Sequence, residues 1–427
     1  MASEIALTFG VELESVISVS YDRYDNQGVI WTMAEIFMKN LFRLEAPLPC
    51  ACILDNPSKY NGKGYRYYYD SGHVGKGPIE DKERKNYYCF SENVSVQPAH
   101  SELTNLTRGG KQAVGLEVST RVLDFDRQGC PELKTVITAI SDGGRSASEE
   151  AIEELKPLPH STAGLHVHIG VKNGLGLETA KNTVILGWLL EPCLFSLCDE
   201  NRGNMWSHSP LRKESVLSRA EFNIPGSRSN NDENMVPTIN LRQKVLLEGI
   251  GRAAPQTNSF PKEFSGDDKN RIWTVLHAQD MSTLATMTSN INATCMNKQL
   301  ALGVCEREDD HTTIEFRHFQ STMDYELAWK WIRLVASLVQ VASKPASEFN
   351  EKLQSIAYQY QEMKDKWRQH LQNRTFGIPT TDPWLESWEW MLSILDLQDD
   401  VPFWRDYIAR LPERNQQTWG DVIPLVG

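Results

Sequence analysis

Two histidines, His166 and His168, lie two positions apart in the stretch TAGLHVHIG. In an extended chain alternate side chains share one face, so both imidazoles would stand above the same side of a sheet. Such a pair is also typical of an ordinary strand, because histidine has many structural roles. It indicates a metal site only if further ligands converge on the same face.

Carboxylates recur at alternate positions in the stretches GVELES, GLEVST and TIEFRHF. If the four stretches are neighbours in one sheet, these carboxylates crowd together, which is stable only with cations between them. The spacing therefore predicts a metal site that is rich in carboxylates. The polar residues that share the predicted face are Glu12, Glu14, Glu117, Ser119, Arg121, Glu315 and Arg317.

The types of ligand narrow the choice of metal. Carboxylates with an imidazole and without thiolates favour a hard ion such as Mg²⁺ or Mn²⁺ over structural zinc. The planar guanidinium of Arg317 would suit a phosphate or carboxylate held by the same ions. His318 falls on the apolar side of its stretch, which predicts a core histidine, or one that supports a ligand from behind, rather than a ligand itself.

The elements that would position these residues form a mixed pattern. Interleaved strands and helices predict an α+β fold, with helices packed against one face of a largely antiparallel sheet. Alternation predicts strands over residues 5–16, 87–96, 113–123, 164–171 and 312–319. Helical periodicity is present over 29–42, 147–155, 178–198 and 324–343.

The long polar stretches indicate how the chain is divided. Residues 54–86 and 205–270 are predicted to be irregular and are candidate lids or substrate-binding walls. From residue 346 the sequence becomes charged, rich in tryptophan and helical in pattern. We therefore predict one domain over 1–345 and a helical C-terminal extension over 346–427.

Composition excludes several classes of partner. The chain has 427 residues, of which 56 are acidic and 44 basic, giving a formal charge of -12. This charge disfavours nucleic acid or an anionic membrane as the main partner. Eight scattered cysteines without a CxxC pair favour reduced thiols. With no signal-peptide pattern and no long apolar run, we expect a cytoplasmic protein that acts on small molecules.

The order GVELE, GLEVST, AGLHVHIG and TIEFRHFQST resembles the amidoligase family, within the superfamily of glutamine synthetase and glutamate–cysteine ligase. The resemblance covers about residues 5–340. It implies a glutamine-synthetase-like catalytic fold, in which a curved sheet forms an open half-barrel with helices on its outer face. It also implies an ATP-dependent ligase that joins a carboxylate to an amine through an acyl phosphate, on small amino-acid-like substrates.

The resemblance implies a set of metal ligands for two or more Mg²⁺ or Mn²⁺ ions. Glu12 and Glu14 are similar to two acidic residues that ligate different ions. Glu117 would be a further ligand on the Glu14 side. His166 would hold the second ion, together with Glu12 and Glu315, near the terminal phosphates of ATP.

The resemblance also implies which residues meet the substrates. His168 and Arg317 are similar to residues that contact the transferred phosphate and the acyl intermediate. Ser119, on the same face, is grouped with them as a residue that binds the nucleotide. Glu12, His168 and Arg317 are accordingly the predicted catalytic residues.

Two alternatives stay open, and the first of them rests on a departure from the family pattern. The strand before GLEVST commonly carries an aspartate with a serine two positions on, whereas this chain has Asn93 and Ser95. A homologue that binds a metabolite without catalysis is therefore one alternative. The other is a metal-dependent hydrolase or oxygenase built on His166 and His168. The sequence has no HExxH, no Gly-rich loop ending in GK[ST], and no acid four or five residues after HVH.

Overall fold

The chain divides into two compact units in the computed structural model. The N-terminal unit comprises Ala6–Ile169 and Phe319–Arg333, and the C-terminal unit comprises Met1–Ile5, Gly170–His318 and Leu334–Gly427. The domain boundary predicted at residue 345 remains a prediction. The structure describes residues 5–20, 26–44, 48–54, 65–70, 73–77, 85–93, 96, 111–142, 157–160, 162–199, 202, 210–219, 260–289, 300–306, 311–375 and 387–411.

Strands and helices are interleaved along the described part of the chain. The strands are β1 (Leu7–Ser20), β2 (Cys50–Leu54), β3 (Tyr65–Asp70), β4 (His73–Gly77), β5 (Tyr88–Glu92), β6 (Lys111–Ser119), β7 (Leu123–Asp124), β8 (Gly164–Val171), β9 (Leu302–Cys305) and β10 (Thr313–Gln320). The helices are α1 (Asn26–Arg43), α2 (Pro131–Ser141), α3 (Leu177–Ser196), α4 (Leu211–Glu214), α5 (Gly266–Leu276), α6 (Met281–Met287), α7 (Tyr325–Ala342), α8 (Ala346–Thr375), α9 (Trp388–Ile394) and α10 (Val401–Arg410).

A mostly antiparallel sheet forms the centre of the N-terminal unit. Its strand order is β4-β3-β2-β5-β6-β1-β8, and β7 also pairs with β1. The pairs β3–β4, β2–β3, β5–β6, β1–β6 and β1–β7 are antiparallel, whereas β2 and β5 are parallel. The predicted mixed fold with a largely antiparallel sheet is therefore confirmed.

Helices cover one face of this sheet. The α1 helix contacts β2, β5 and β6, and its Phe37 ring lies 4.9 Å from the ring of Phe90. At the other end of the face, Trp329 of α7 packs 5.8 Å from Phe9 of β1. Leu13 points to the same side and is buried. Because β-strand side chains alternate, the polar residues between these apolar ones point to the opposite face.

A buried polar network lies among the helices of the C-terminal unit. Arg212 donates to Asp268 Oδ1 at 2.9 Å and to the Tyr360 hydroxyl at 3.0 Å. Glu191 of α3 accepts hydrogen bonds from the backbone N–H groups of Leu211 and Arg212, at 2.5 and 2.9 Å. These bonds join α3, α4, α5 and α8, because each helix contributes at least one member.

Most predicted elements agree with the structure. The five predicted strands correspond to β1, β5, β6, β8 and β10, and three of the predicted helices correspond to α1, α3 and α7. The helix predicted over 147–155 lies outside the described residues. The predicted extension from residue 346 is helical where it is described, in α8, α9 and α10.

The irregular stretches contain more regular structure than predicted. Two strands, β3 and β4, lie within 54–86, so the expectation of an irregular segment is wrong there. The aromatic residues of YRYYYD favour a strand. The glycines and lysines around them led instead to the prediction of an irregular segment. Within 205–270 the structure describes the short α4 and the start of α5, and most of the remainder lies outside the described residues.

Two further features bear on the class of protein. Among the helices that the structure describes, none is long and apolar enough to cross a membrane. The described cysteines form no disulfide with one another; they are Cys50, Cys89, Cys130, Cys193, Cys198 and Cys305.

Candidate functional site

Glu12 lies between the two histidines of the HVH stretch. One of its oxygens, Oε2, is 3.1 Å from His166 Nδ1, and the other, Oε1, is 3.2 Å from His168 Nε2. The adjacent strands β1 and β8 place these side chains together on the face opposite the helices. The His166 side chain is 1% exposed, whereas Glu12 is 23% and His168 11% exposed. Glu12 and His168 therefore keep part of their side-chain surface exposed.

His166 faces a carboxylate with each of its ring nitrogens. Its Nδ1 is 3.1 Å from Glu12 Oε2, and its Nε2 is 3.5 Å from Glu14 Oε2. A neutral imidazole has a single N–H, so only one of these nitrogens can donate. The other directs a lone pair at a negatively charged oxygen unless the ring gains a second proton or a cation lies beside it. The buried His166 therefore fits a site that receives positive charge.

The carboxyl group of Glu12 is held in its ionised form. Burial on its own raises the pKa of Glu12, but the hydrogen bonds and charges of His166 and His168 outweigh burial. The resulting pKa lies well below the ordinary value for glutamate. Glu12 is consequently in the protonation state that ligates a cation.

Glu14 and Glu117 form a second pair beside the first group. They are directly opposite each other in the register of β1 and β6. The Asn93 side-chain nitrogen donates to Glu14 Oε1 at 2.7 Å and to Glu117 Oε2 at 3.0 Å. The Gly164 backbone N–H donates to Glu14 Oε2 at 2.7 Å, and the Ser119 hydroxyl to Glu117 Oε1 at 3.1 Å. A single amide therefore bridges two carboxylates.

A close backbone crossing fixes the position of Asn93. The Asn93 N–H donates to the Gly115 carbonyl at 3.0 Å, and the Val96 N–H donates to the Asn93 carbonyl at 3.2 Å. A Cβ added at Gly115 would lie 2.2 Å from the Asn93 carbonyl oxygen. Glycine is required at position 115 because the chain after β5 passes directly over β6 there.

Glu315 and Arg317 belong to the C-terminal part of the predicted site and contact each other. Arg317 donates from an Nη atom to Glu315 Oε1 at 2.5 Å, and the Cys305 thiol donates to Glu315 Oε2 at 3.4 Å. Arg202 donates to the Arg317 backbone carbonyl at 3.0 Å. The Arg317 guanidinium is therefore held against a carboxylate of its own strand.

His318 is a core residue, as predicted. It is completely buried, and its ring lies 4.9 Å from the ring of Phe195. Burial, together with the charge of Arg202, lowers the pKa of His318 to about 3. The ring is consequently neutral and packs as an aromatic side chain.

The N-terminal unit brings together most of the side chains that sequence analysis selected. Alternation alone identified them, because the side chains of a strand repeat every two residues. Sequence analysis missed the bridging role of Asn93 and the backbone N–H of Gly164; the glycine within AVGLEVS was the available signal for a close crossing. The selected residues that lie together are Glu12, Glu14, Glu117, Ser119, His166 and His168.

Comparison with known proteins gives no independent assignment. No model of a known protein family matches the chain, and no curated protein matches it. The arrangement of the side chains and the resemblance of the four stretches are the grounds for a functional proposal.

Proposed function

We propose that this chain is an ATP- and Mg²⁺-dependent ligase that joins a small carboxylic acid to an amine. The observation that carries the proposal is the position of His166, whose two ring nitrogens both face carboxylates. When the imidazole of His166 is neutral, one of these nitrogens directs a lone pair at a carboxylate, and a divalent cation beside Glu12 and His166 would remove that repulsion. In the proposal Mn²⁺ can take the place of Mg²⁺. The protein is proposed to be cytoplasmic.

The chemistry of amide formation explains why such a site needs cations. A carboxylate is activated when it receives the terminal phosphate of ATP. For this transfer two anions, the carboxylate and the phosphate, must approach each other. A bound divalent ion supplies the positive charge that offsets their repulsion. In the proposal Glu12 and His166 hold the ion, and the partly exposed His168 contacts the transferred phosphate.

Residues of the C-terminal unit enter the proposal through the resemblance. Glu315 is proposed as a further ligand, and Arg317 as the residue that contacts the phosphate and the acyl phosphate. The Arg317 guanidinium donates to Glu315 in the structure, so a phosphate would have to compete with that contact. Ser119, which donates to Glu117, is proposed to bind the nucleotide.

The test is Mg²⁺-dependent release of ADP across panels of amino acids, amines and carboxylic acids, with mass spectrometry of any product. We expect Glu12→Gln and Glu315→Gln to reduce release by about 100-fold or more, because even residues that only support a metal ligand reach that effect. Glu351→Gln is the matched control, since Glu351 is exposed on α8. If no acid and amine give ADP above the level of the Glu12 variant, the ligase proposal is wrong.

Asn93 favours a second candidate, a protein that binds a metabolite without catalysis. An amide cannot accept a proton from an amine substrate as an aspartate can. Nucleotide and Mg²⁺ binding without ADP release from any substrate pair would support this candidate.

The remaining alternative is a hydrolase or oxygenase that uses His166 and His168. Refilling the metal-free protein with iron or zinc separates it from the ligase. Stoichiometric retention of either metal, with no preference for Mg²⁺ or Mn²⁺ in the presence of ATP, would favour the alternative.

A further inference from the structure

The pair formed by Glu14 and Glu117 differs from the group around Glu12 in how its charge is accommodated. Residues directly opposite in an antiparallel pair have Cβ atoms only about 5 Å apart, and like charges there are destabilising. Glu14 is 3% exposed, so water screens this repulsion poorly. The two carboxylates therefore need hydrogen-bond donors or a cation between them.

Neutral donors meet this need. Each of the four carboxylate oxygens accepts a hydrogen bond from a neutral group: the Asn93 amide for one oxygen of each residue, Gly164 N–H for Glu14, and the Ser119 hydroxyl for Glu117. The Asn93 nitrogen must face the pair, because the amide oxygen in its place would be repelled by both carboxylates.

The backbone keeps the amide in place. The crossing at Gly115 fixes the Asn93 backbone through its N–H bond to the Gly115 carbonyl. A short side chain such as asparagine has few rotamers once its backbone is fixed, so the amide cannot move far from the two carboxylates.

We propose that the Asn93 amide takes the place of a cation between Glu14 and Glu117, and that it confines divalent-ion binding on this face to the Glu12 and His166 side. The inference rests on the proposed function, because it concerns the number of ions that the same site takes. It replaces the expectation that Glu14 and Glu117 hold an ion of their own.

The test is the conversion of Asn93 to aspartate, which has nearly the same shape but adds charge and removes both donors. A third carboxylate then meets the pair and the bridging amide of Asn93 is lost, so this corner should acquire a requirement for a cation. Using Mn²⁺ alone and counting unbound ion by electron paramagnetic resonance, we expect bound Mn²⁺ to rise from about one ion per chain to about two. The melting temperature of Asn93→Asp should fall in EDTA and recover with Mn²⁺.

The double variant Asn93→Asp, Glu117→Gln is the matched control. Glutamine at 117 restores one N–H donor and removes one charge, so Mn²⁺ binding should return to the wild-type number. The inference is overturned if the wild-type protein already binds two ions, if Asn93→Asp gains none, or if a loss of fold in Asn93→Asp is not reversed by Mn²⁺. A wild-type chain that binds no ion, with a gain of one in Asn93→Asp, would contradict the proposed function and the ion at Glu12 and His166, while supporting the replacement of a cation by the Asn93 amide.

Discussion

Glu191 shows how a carboxyl group unrelated to the candidate site is held inside the C-terminal unit. It is completely buried in α3 and accepts two backbone N–H bonds from the start of α4. Burial raises the pKa of Glu191 to about 7, although the two backbone bonds and the charge of Arg212 oppose this increase. The folded protein therefore holds a proton at Glu191 at pH values where an unfolded chain has lost it.

This raised pKa predicts a pH dependence of stability. In the unfolded chain the carboxyl group of Glu191 has a pKa of about 4.3. The stability that its buried, protonated form contributes is therefore fully present below that pH and is lost as the pH rises towards about 7. Glu191→Gln is neutral throughout, and the wild-type chain should lose about 3 kcal/mol relative to it between pH 4 and 8. Urea unfolding over this range measures the difference. A constant difference, or the same trend in the exposed control Glu351→Gln, would contradict the assignment.

Single residues of the candidate site were predictable to the extent that they depend on strand alternation. Glu12 and Glu14 share a face of β1, and His166 and His168 share a face of β8, because the period of a strand is two and no long-range information is needed for that. The Asn93 contact was not predictable, since it depends on the chain after β5 crossing β6. Nothing local in ENVSV indicates which carboxylates its amide will meet.

The crossing over β6 predicts a large effect from a small substitution. Gly115→Ala places a Cβ against the Asn93 carbonyl, and a backbone atom cannot move aside as the end of a side chain can. We expect a loss of at least about 2 kcal/mol in the free energy of unfolding. Gly10→Ala on β1 is the control: the nearest atom to its added Cβ is 3.9 Å away, and a change below about 1 kcal/mol is expected. Equal effects of the two substitutions would contradict the close crossing.

At the scale of elements, strong periodicity predicted the strands and helices well. It did not predict which strands pair with each other. The register that sets Glu14 opposite Glu117 depends on residues about a hundred positions apart in the chain, and no local pattern specifies it. The strand β4 was missed because glycines and a lysine interrupt its alternation, and β3 was missed because glycines and lysines surround its run of aromatic residues. The parallel pairing of β2 and β5 within a mostly antiparallel sheet had no signal in the sequence.

For the whole molecule, the contribution of residues 346–427 is the most direct test of domain organisation. Tyr360 of α8 donates to the Leu189 carbonyl at 2.8 Å and accepts from Arg212, and Trp404 of α10 is completely buried. We expect a chain ending at residue 345 to lose its native near-ultraviolet circular dichroism, because the C-terminal unit would lack these core residues.

A single substitution also tests whether the C-terminal unit depends on the residues after 345. Tyr360→Phe keeps the ring and removes the hydroxyl that joins Arg212 to Leu189, at an expected cost of about 1–3 kcal/mol. A truncated chain that unfolds cooperatively with wild-type stability would show that the tail is a separable extension.

Composition and pattern predicted the class of the fold but not its partition into units. The N-terminal unit takes residues from two distant segments, and only contacts between distant residues define it. The helices on one face of the sheet were predictable from alternating polarity, whereas the contribution of α7 to that face was not, because it depends on packing of Trp329 against Phe9.

The late segment Phe319–Arg333 has a consequence for how the chain is made. Ser321 donates to the backbone carbonyl of Glu14, 307 positions earlier, and the Tyr325 hydroxyl accepts from the Cys130 N–H at 2.9 Å. At common rates of translation the ribosome needs on the order of 15 to 60 s to cover such a separation. The β1 strand therefore leaves the ribosome long before its final neighbours exist, and the carboxylate-bearing sheet reaches its finished form only after Arg333 has been synthesised.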